Sequence, residues 1–506
     1  MRKSSSRLAR FLLLATTTVL CWVSVTHIDA QPAPPKSKSQ TKPQKPKPVD
    51  DFELMKEFAT AFQQISRNHV KDVDKRELIE AAIKGMMSKL DRYSSYISPK
   101  DLKRFNESVE QRFGGIGVQV QVDETTKRLT VSTPLPGTPA YKAGIKAGDI
   151  IEEIEGKSTV GFTLQDAVKL LKGEAGQPVT LGIRHAKSKK IEKVKLVRAI
   201  IDVATVMGDS YNPDGTWNFM ADPKRKIGYI RLSHFSRRSA DELRAALETL
   251  KKQGMKSLVF DLRFNPGGLL SQATKIADMF IEKGRIVSTK GKNTPERVWT
   301  AKKEGTYSGF PMVVLVNRFS ASASEIVSAC LQDHKRAVVI GERTWGKGSV
   351  QNVIQLSGGT SALKLTTASY HRPNGKNIHR FPNSKPTDEW GVMPNDGFRI
   401  RMTLDEMRKY QEYRRERDVL SDAGPPKSDF VDRHYQKAVE LLTGQLSKAT
   451  TAKKPANATK TDKKNGRNSK KRAGKRSTSQ IQPARLMQVQ TIAYHWMLSP
   501  RFVRAA

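Results

Sequence analysis

Three serines stand where the sequence could place a nucleophile. Ser320, Ser322 and Ser324 lie in the segment Asn317–Ile326, between an apolar run that predicts a strand and a pattern that predicts a helix. A serine at such a turn exposes its hydroxyl, and the amides of the following helix N-terminus favour negative charge nearby. The alternative is that one of these serines only caps the helix, a role for which serine is equally suited.

A lysine in a glycine-flanked turn supplies a base of the right kind. Lys347 lies in Thr344–Gly348, just after another apolar run. Lysine acts as a general base for serine only where burial lowers its pKa toward neutrality, because desolvation disfavours the ammonium form. The alternatives are a surface lysine or a phosphate-binding loop, although the Gly-x-x-x-x-Gly-Lys-Ser/Thr spacing of such a loop is absent.

A glycine pair could stabilise the negative charge that forms during acyl transfer. The segment Asp261–Gly268 ends in Asn-Pro-Gly-Gly, directly after a third apolar run. Paired glycines allow backbone N–H groups to approach a ligand oxygen closely, as an oxyanion site requires. The same four residues also make an ordinary turn.

In this order the three segments resemble the carboxyl-terminal processing peptidases, also called tail-specific proteases, over roughly residues 50–445. The resemblance implies that Ser322 is the nucleophile and Lys347 the base. It also implies a crotonase-like α/β core and an acyl-enzyme mechanism that requires neither metal nor nucleotide. The other site residues that it implies are Gln351 and Glu325 as supporting groups and the amides of Gly268 and Ala323 as oxyanion donors.

The segment Leu90–Tyr96 also resembles an N-terminal signature of that family. Proline is usual where Arg92 stands. We expect this departure to affect the geometry of the linker and not the dyad.

A second module precedes the predicted peptidase core. Apolar and polar residues alternate over Val118–Val122, and a helix is predicted over Thr163–Leu171. Phe113–Val118 and the later Pro136–Ala140 resemble a PDZ domain, whose loop amides bind a peptide's terminal carboxylate while the peptide adds as a strand. The residues implied here are Gly115, Ile116, Gly117 and Val118; the alternative is a PDZ fold that binds no peptide.

The elements that must position the three segments alternate between strand and helix, which predicts a central sheet covered by helices. The predicted strands are Ile227–Leu232, Ser257–Leu262, Pro311–Val316 and Ala337–Ile340, and the predicted helices are Ser239–Gln253, Leu270–Ile281 and Ser322–Leu331. Residues 402–447 are also predicted to be helical. The predicted domains are a signal peptide (1–30), a Pro/Lys-rich linker (31–48), a helical region (49–110), a PDZ domain (111–199), a peptidase core with C-terminal helices (200–447) and a basic, largely disordered tail (448–506).

Charge and the N-terminus bear on location. Of the formal charge of +39, residues 1–48 and 448–485 carry +20, so a nucleic-acid binder is disfavoured and no specific nucleic acid is expected. The basic start, the apolar run Phe11–Val25 and Ile28-Asp29-Ala30 predict a signal peptide, hence a periplasmic or envelope location. The basic segments suit an anionic envelope polymer or a membrane surface. Oligomeric state is left open.

Other reactive residue types give weaker signals. After signal removal only Cys330 remains, so the mature chain forms no internal disulfide. The histidines show no metal-binding spacing, and His379 is interpreted as a structural or surface residue.

The sequence therefore predicts a serine endopeptidase that cleaves exported polypeptides at or near their C-termini. The alternative is a catalytically silent PDZ adaptor or envelope scaffold. The presence of Ser322, Lys347 and Gln351 together argues against it.

Overall fold

The computed structural model describes residues 50–452, apart from positions 124, 187, 189 and 422. The predicted signal peptide, the predicted linker and residues 453–506 of the predicted tail lie outside the described residues. The chain divides into two units, Met1–Asp74 and Lys75–Ala506. Among the described residues, no helix has the length and apolar character needed to cross a membrane.

Residues 50–74 are the described part of the first unit, and they contain helix α1 (Asp51–Asn68). The Asp50 side chain accepts a hydrogen bond from the Phe52 amide at 3.1 Å, so the helix begins where its first free N–H group finds a partner. Arg67 in the last turn complements the helix dipole. None of the residues of α1 is buried.

The second unit begins with α2 (Lys75–Ser88), β1 (Ser95–Ile97) and α3 (Pro99–Glu110). These helices agree with the helical pattern expected before the PDZ domain. Strand β1 was not predicted, and it pairs with a strand far along the chain.

The next module is the predicted mixed α/β unit. Its elements are β2 (Arg112–Gly115), β3 (Val118–Val122), β4 (Leu129–Pro134), α4 (Pro139–Lys142), β5 (Ile150–Ile154), β6 (Lys157–Ser158), α5 (Leu164–Leu171), β7 (Pro178–Arg184), β8 (Ile191–Val197) and β9 (Ala199–Asp202). An antiparallel sheet runs in the order β3-β4-β5-β7-β8, with β6 beside β5, and β2 pairs with β9. Thr163 and Asp166 form a capping box, which fixes where α5 begins.

The predicted peptidase core follows in chain order. Its elements up to residue 341 are β10 (Val206–Met207), β11 (Ser210–Tyr211), β12 (Trp217–Asn218), β13 (Ile227–Leu232), α6 (Ser239–Lys252), β14 (Ser257–Asp261), α7 (Leu270–Asp278), β15 (Gly284–Lys290), β16 (Arg297–Ala301), β17 (Met312–Val316), α8 (Ala323–Asp333) and β18 (Val338–Gly341). The predicted strands and helices are all present, with ends shifted by at most three residues.

One sheet has the order β10-β13-β14-β17-β18, in which the last four strands are parallel. All residues of β14 and β17 are buried, as expected of parallel strands covered on both faces. Because parallel strands end at the same edge of a sheet, the segments that follow β14, β17 and β18 converge there. These are the three segments that the sequence singled out.

The chain ends, within the described residues, with β19 (Ser349–Leu356), β20 (Ser361–His371), α9 (Leu404–Arg417) and α10 (Arg433–Ala452). A second, antiparallel sheet has the order β1-β20-β15-β16, with β19 also paired to β20. This sheet was not predicted, because β19 and β20 are largely half-exposed and lack a buried apolar run. The helical prediction for 402–447 holds for α9 and α10, and α10 continues past the predicted start of the tail at residue 448.

Candidate active site

Ser322 ends the turn between β17 and α8 and caps α8. It has φ +56°, a conformation that is strained for a residue with a Cβ and that is typical of functional turns. Its neighbours serve the structure: the Ser320 hydroxyl donates to the Leu262 carbonyl at 2.8 Å, and the Ser324 hydroxyl donates to the Asn265 carbonyl at 3.0 Å. Both neighbours are fully buried, whereas Ser322 is 7% exposed.

The Glu325 carboxylate joins the serine segment to the lysine segment. Its Oε2 accepts hydrogen bonds from the amides of Ser322 and Lys347, each at 2.8 Å. Its Oε1 accepts from the Gly346 amide and from the Thr344 hydroxyl, each at 2.6 Å. Burial raises the pKa of Glu325, and these four donors oppose the rise because they favour the ionised form.

Lys347 is largely buried. The pKa of Lys347 is lowered to about 8, mainly by burial and also by the nearby Lys364 charge, whereas the Glu325 charge opposes the shift. Among the described residues, the Lys347 Nζ makes no hydrogen bond or ion pair. In particular, it is not hydrogen-bonded to Ser322 Oγ. The lowered pKa lets the amine reach the neutral form that a base requires at mildly alkaline pH.

The glycines beside Lys347 let neighbouring backbone come close. Gly346 has φ +85°, and a Cβ there would lie 2.7 Å from the Arg380 Cβ. A Cβ on Gly391 would lie 2.8 Å from the Thr344 hydroxyl and 3.2 Å from Glu325 Oε1. Larger residues at these positions would displace the groups that hold the Glu325 carboxylate.

The Pro-Gly-Gly turn lies directly against the serine. Gly267 has φ +101°, and a Cβ there would lie 2.8 Å from the Ser322 Cβ and 2.9 Å from the Ala323 nitrogen. Over the described residues, neither the Gly268 amide nor the Ala323 amide donates to a protein acceptor. Two uncommitted N–H groups next to a serine are what an oxyanion site needs.

Gln351 is close to this site but does not contact the lysine. It lies on β19, and its Nε2 donates to the Ser349 hydroxyl at 2.8 Å and to the Thr366 hydroxyl at 3.2 Å. Thr366 in turn donates to Asp91 Oδ1 at 3.2 Å. Gln351 is therefore linked to the segment before β1.

That segment is the part of the site that sequence reasoning missed. The Lys347 Nζ lies 5.1 Å from the centroid of the Tyr93 ring, and the Arg92 guanidinium lies 4.9 Å from the same centroid. Arg92 is also 5.9 Å from the Trp345 ring and lowers the pKa of Lys347. The expectation that Arg92 affects only linker geometry is therefore wrong, although the signature around it was a usable signal.

The predicted carboxylate-binding residues lie at the edge of the PDZ sheet. The carbonyls of Ile116 and Gly117 accept from the Ala140 and Leu135 amides, each at 2.9 Å, which fixes the loop. Strand β3, which begins at Val118, is the last strand on its side of the sheet, so its outer edge is open to an added strand. Gly115 lies just before the loop and pairs with β9.

Across the described part of the chain, no three His, Cys, Asp or Glu side chains group in a way that could hold an ion. Burial raises the pKa of the Cys330 thiol to about 12, which suits an inert core residue.

Comparison with known proteins identifies three parts of the chain. Residues 226–388 match peptidase family S41, residues 130–185 match a PDZ domain, and residues 14–100 match the N-terminal domain of the activating protease CtpB.

Similar proteins cover most of the chain. A carboxy-terminal-processing protease of Bartonella bacilliformis is 36% identical over 407 residues, which covers 79% of this chain and 90% of the relative. The carboxy-terminal processing protease CtpA of Bacillus subtilis is 38% identical over 322 residues, covering 63% of this chain and 66% of the relative. Among solved structures, the photosystem II D1 C-terminal processing protease is 28% identical and covers 74% of this chain and 99% of its own, with a TM-score of 0.39. The chain therefore belongs to peptidase family S41, as a serine-type carboxy-terminal-processing protease with a PDZ domain.

Proposed function

We propose that Ser322 and Lys347 form the catalytic dyad of this protease and that the amides of Gly268 and Ala323 bind the oxyanion. The carrying observation is the Glu325 carboxylate, one oxygen of which accepts both the Ser322 and the Lys347 amides at 2.8 Å. A single buried group thus sets the backbone of nucleophile and base together. The lowered pKa of Lys347 supports its role as the base.

The reaction follows from these placements. Ser322 Oγ attacks the scissile carbonyl carbon while neutral Lys347 takes the hydroxyl proton, and the carbonyl oxygen becomes an oxyanion held by the two amides. Collapse of this intermediate breaks the C–N bond, and the Lys347 ammonium returns its proton to the leaving amine. Water then attacks the acyl ester while Lys347 accepts the water proton. Collapse of this second intermediate breaks the ester C–O bond, and the Lys347 ammonium returns the proton to Ser322 Oγ.

Gln351 and Glu325 act as supporting residues in this proposal. Glu325 fixes the backbone of the dyad directly. Gln351 contributes through Ser349 and Thr366, since its amide contacts those hydroxyls and not the Lys347 amine.

We further propose that substrates are exported polypeptides whose free C-termini bind the PDZ domain. The loop Gly115–Val118 and the open edge of β3 support this, because a peptide can add as a strand there while its carboxylate meets the loop amides. The relatives named above are carboxy-terminal-processing proteases, which agrees with recognition of chain ends.

Location and domain limits complete the proposal. We assign a signal peptide to residues 1–30, the PDZ domain to 111–199 and the peptidase core to 200–447. The protein is then periplasmic or envelope-associated, and its basic tail at 448–506 contacts an anionic envelope polymer or membrane surface.

Turnover of matched substrates tests the proposal. Purified protein is incubated with unfolded polypeptides that differ only in their last residues, each with a free or amidated C-terminus. We expect Ser322→Ala and Lys347→Ala each to lower cleavage by at least about 10³-fold while keeping the wild-type melting temperature within a few degrees. Amidation should raise KM by about tenfold.

Ser328→Ala is the matched control. Ser328 is a buried serine on the same helix, whose hydroxyl donates to the Ser324 carbonyl at 2.7 Å, so its loss should leave cleavage nearly intact. Cleavage by folded Ser322→Ala would refute the dyad. Absence of any cleavage by wild type, with tight binding of free C-termini, would instead support the adaptor hypothesis.

A further inference from the structure

The segment Asp91–Ile97 brings an aromatic ring and a positive charge to the Lys347 amine. The Tyr93 ring centroid is 5.1 Å from Lys347 Nζ and 4.9 Å from the Arg92 guanidinium carbon. His379 meets the same ring edge-on, with centroids 6.3 Å apart. One tyrosine ring is therefore shared by the lysine and by two groups that flank it.

Hydrogen bonds to the second sheet hold this segment in place. Asp91 accepts bonds from the Tyr93 amide at 2.7 Å and from the Thr366 hydroxyl at 3.2 Å. The Ser94 hydroxyl accepts the Thr366 amide at 3.0 Å, and Ser94 is followed by β1, which pairs with β20. These hydrogen bonds thus fix the backbone on both sides of Tyr93.

The hydroxyl of Tyr93 does not account for the placement of the ring. It is buried and has no hydrogen-bond partner among the described residues. The ring face and edge make the contacts that are seen, so the aromatic ring is the functional part of this side chain.

Several charged or titratable groups face Lys347. Lys364 on β20 and Arg92 favour its neutral form, and Glu325 on α8 favours its charged form. Asp91 faces Lys364 and His379. Burial lowers the pKa of His379, Arg92 lowers it further and Asp91 opposes the shift, so His379 is largely neutral at pH 7.

We propose that Tyr93 and Arg92 are positioning residues for the Lys347 base: the Tyr93 ring fixes where the amine lies, and the Arg92 guanidinium near the same ring contributes a positive charge. This inference rests on the proposed function, in which Lys347 is the base. Arg92 is exposed, so its effect is smaller than that of Lys364 on the same amine.

The consequence is a particular pH dependence. The base must be neutral to accept the Ser322 proton, so the rate rises with pH until the lysine is deprotonated. A positive charge near the amine disfavours the ammonium and extends activity to lower pH. Removing that charge should shift the rising limb to higher pH without changing the plateau.

The pH profile of kcat/KM on one cleavable peptide tests this for the full-length protein. We expect Arg92→Gln to lower kcat/KM by roughly three- to tenfold at about pH 7 and to match wild type on the alkaline plateau. Arg92→Lys keeps the charge and should restore the wild-type profile. The control Arg408→Gln removes one charge from an exposed arginine of α9 and should leave the profile unmoved.

Tyr93 is tested by separating its ring from its hydroxyl. Tyr93→Phe should stay within about twofold of wild type, whereas Tyr93→Leu should lower kcat by more than about tenfold with little change in KM. A uniform loss at every pH in Arg92→Gln would overturn the role of its charge. An equal loss in Tyr93→Phe and Tyr93→Leu would overturn the role of the ring.

Lys347→Ala, assayed beside these variants, distinguishes the two levels of the proposal. If Lys347→Ala is inactive and Arg92→Gln has a wild-type profile, the positioning role fails and the dyad stands. If Lys347→Ala retains cleavage, the dyad itself fails.

Discussion

The three serines before α8 differ in what their hydroxyls contact. Ser320 and Ser324 donate to carbonyls of the β14 turn and so tie that turn to α8. Ser322 sits between them in a strained conformation with some exposure. By residue type alone, all three serines were candidates for the nucleophile. They are distinguished only by the groups that their hydroxyls contact.

Glu325 is the residue whose chemistry is most tightly determined by its contacts. Each carboxylate oxygen accepts two donors, and one of these, the Thr344 hydroxyl, also accepts the Val392 amide at 2.7 Å. Four donors favour the ionised carboxylate. In that form a buried negative charge lies between the backbones of Ser322 and Lys347.

We predict that Glu325→Gln lowers the stability of the protein and moves the rising limb of the pH profile to lower pH. The amide group presents N–H donors to backbone donors, which should cost about 2–4 kcal/mol in the free energy of unfolding. The Glu325 charge raises the pKa of Lys347, so its removal should lower that pKa and move the rising limb to lower pH. Chemical denaturation and the pH profile of kcat/KM measure the two effects.

Glu342→Gln provides the matched control for that prediction. Glu342 is a buried carboxylate that pairs with Arg318 and does not contact the dyad. The Glu342→Gln variant should be less stable than wild type, and the rising limb of its pH profile of kcat/KM should not move. A Glu325→Gln profile with an unmoved or upward-shifted limb would contradict the assigned electrostatics.

The elements of the site are three turns at the carboxyl ends of β14, β17 and β18. The turn after β14 also carries Arg263, which is fully buried and pairs with Asp261 at 2.6 Å and with Asp432 at 2.8 Å. Phe264, with φ +61°, stacks on Phe319 with centroids 5.3 Å apart. The turn that carries the glycine pair is thus held by Arg263 to the residue before α10 and by Phe264 to the serine turn.

We predict that Gly267→Ala abolishes most activity through a clash at the serine turn. Its Cβ would lie 2.7 Å from the Ala321 carbonyl and 2.8 Å from the Ser322 Cβ, so the turn must move away from the nucleophile. The expected loss in kcat/KM is at least about 100-fold, because small displacements of reacting groups are costly.

Gly309→Ala separates this clash from backbone strain. Gly309 has φ +85° and open space where a Cβ would lie, so alanine there should cost only about 1 kcal/mol of stability and leave kcat/KM nearly unchanged. Steady-state kinetics and thermal unfolding of both variants make the comparison. Similar kinetics for the two would show that the close approach of Gly267 is unimportant.

At the scale of the whole molecule, two sheets supply the residues around the candidate site, and the PDZ domain contacts the core. The parallel sheet supplies the turns, and the antiparallel sheet holds the segment with Tyr93 through β1 and β20. Ion pairs link the PDZ side to the core, as between Arg238 and Asp202 at 2.7 Å. The Leu420 amide, beyond α9, donates to Thr133 of the PDZ sheet at 3.1 Å.

We predict that removal of residues 453–506 weakens binding to anionic membranes and leaves catalysis intact. Much of the basic charge lies in this tail, outside the described fold, and each Lys or Arg near an anionic surface contributes about 1 kcal/mol. Co-sedimentation with phosphatidylglycerol vesicles should show at least a tenfold weaker affinity for the truncated chain at low salt. Equal binding of both chains, or equal binding to phosphatidylcholine vesicles, would refute a role for the tail charge.

The sequence by itself determined the residue types of the site, their order and the strands and helices around them. These are local signals: apolar runs of strand length, helical periodicity and glycine turns depend on neighbouring residues only. The predicted strand Ile227–Leu232 agrees with β13 residue for residue. The alternating segment Val118–Val122 likewise coincides with β3. The half-exposed strands β19 and β20 carry no comparable local signal.

Only the tertiary structure decided which groups meet. Ser94 and Thr366 are 272 positions apart and share a hydrogen bond, and that pairing brings Tyr93 and Arg92 to Lys347. Likewise, the Glu325 carboxylate joins two turns that are separate in sequence. The pKa of Lys347 depends on burial and on charges from α8, β20 and the segment before β1, which sequence spacing does not encode.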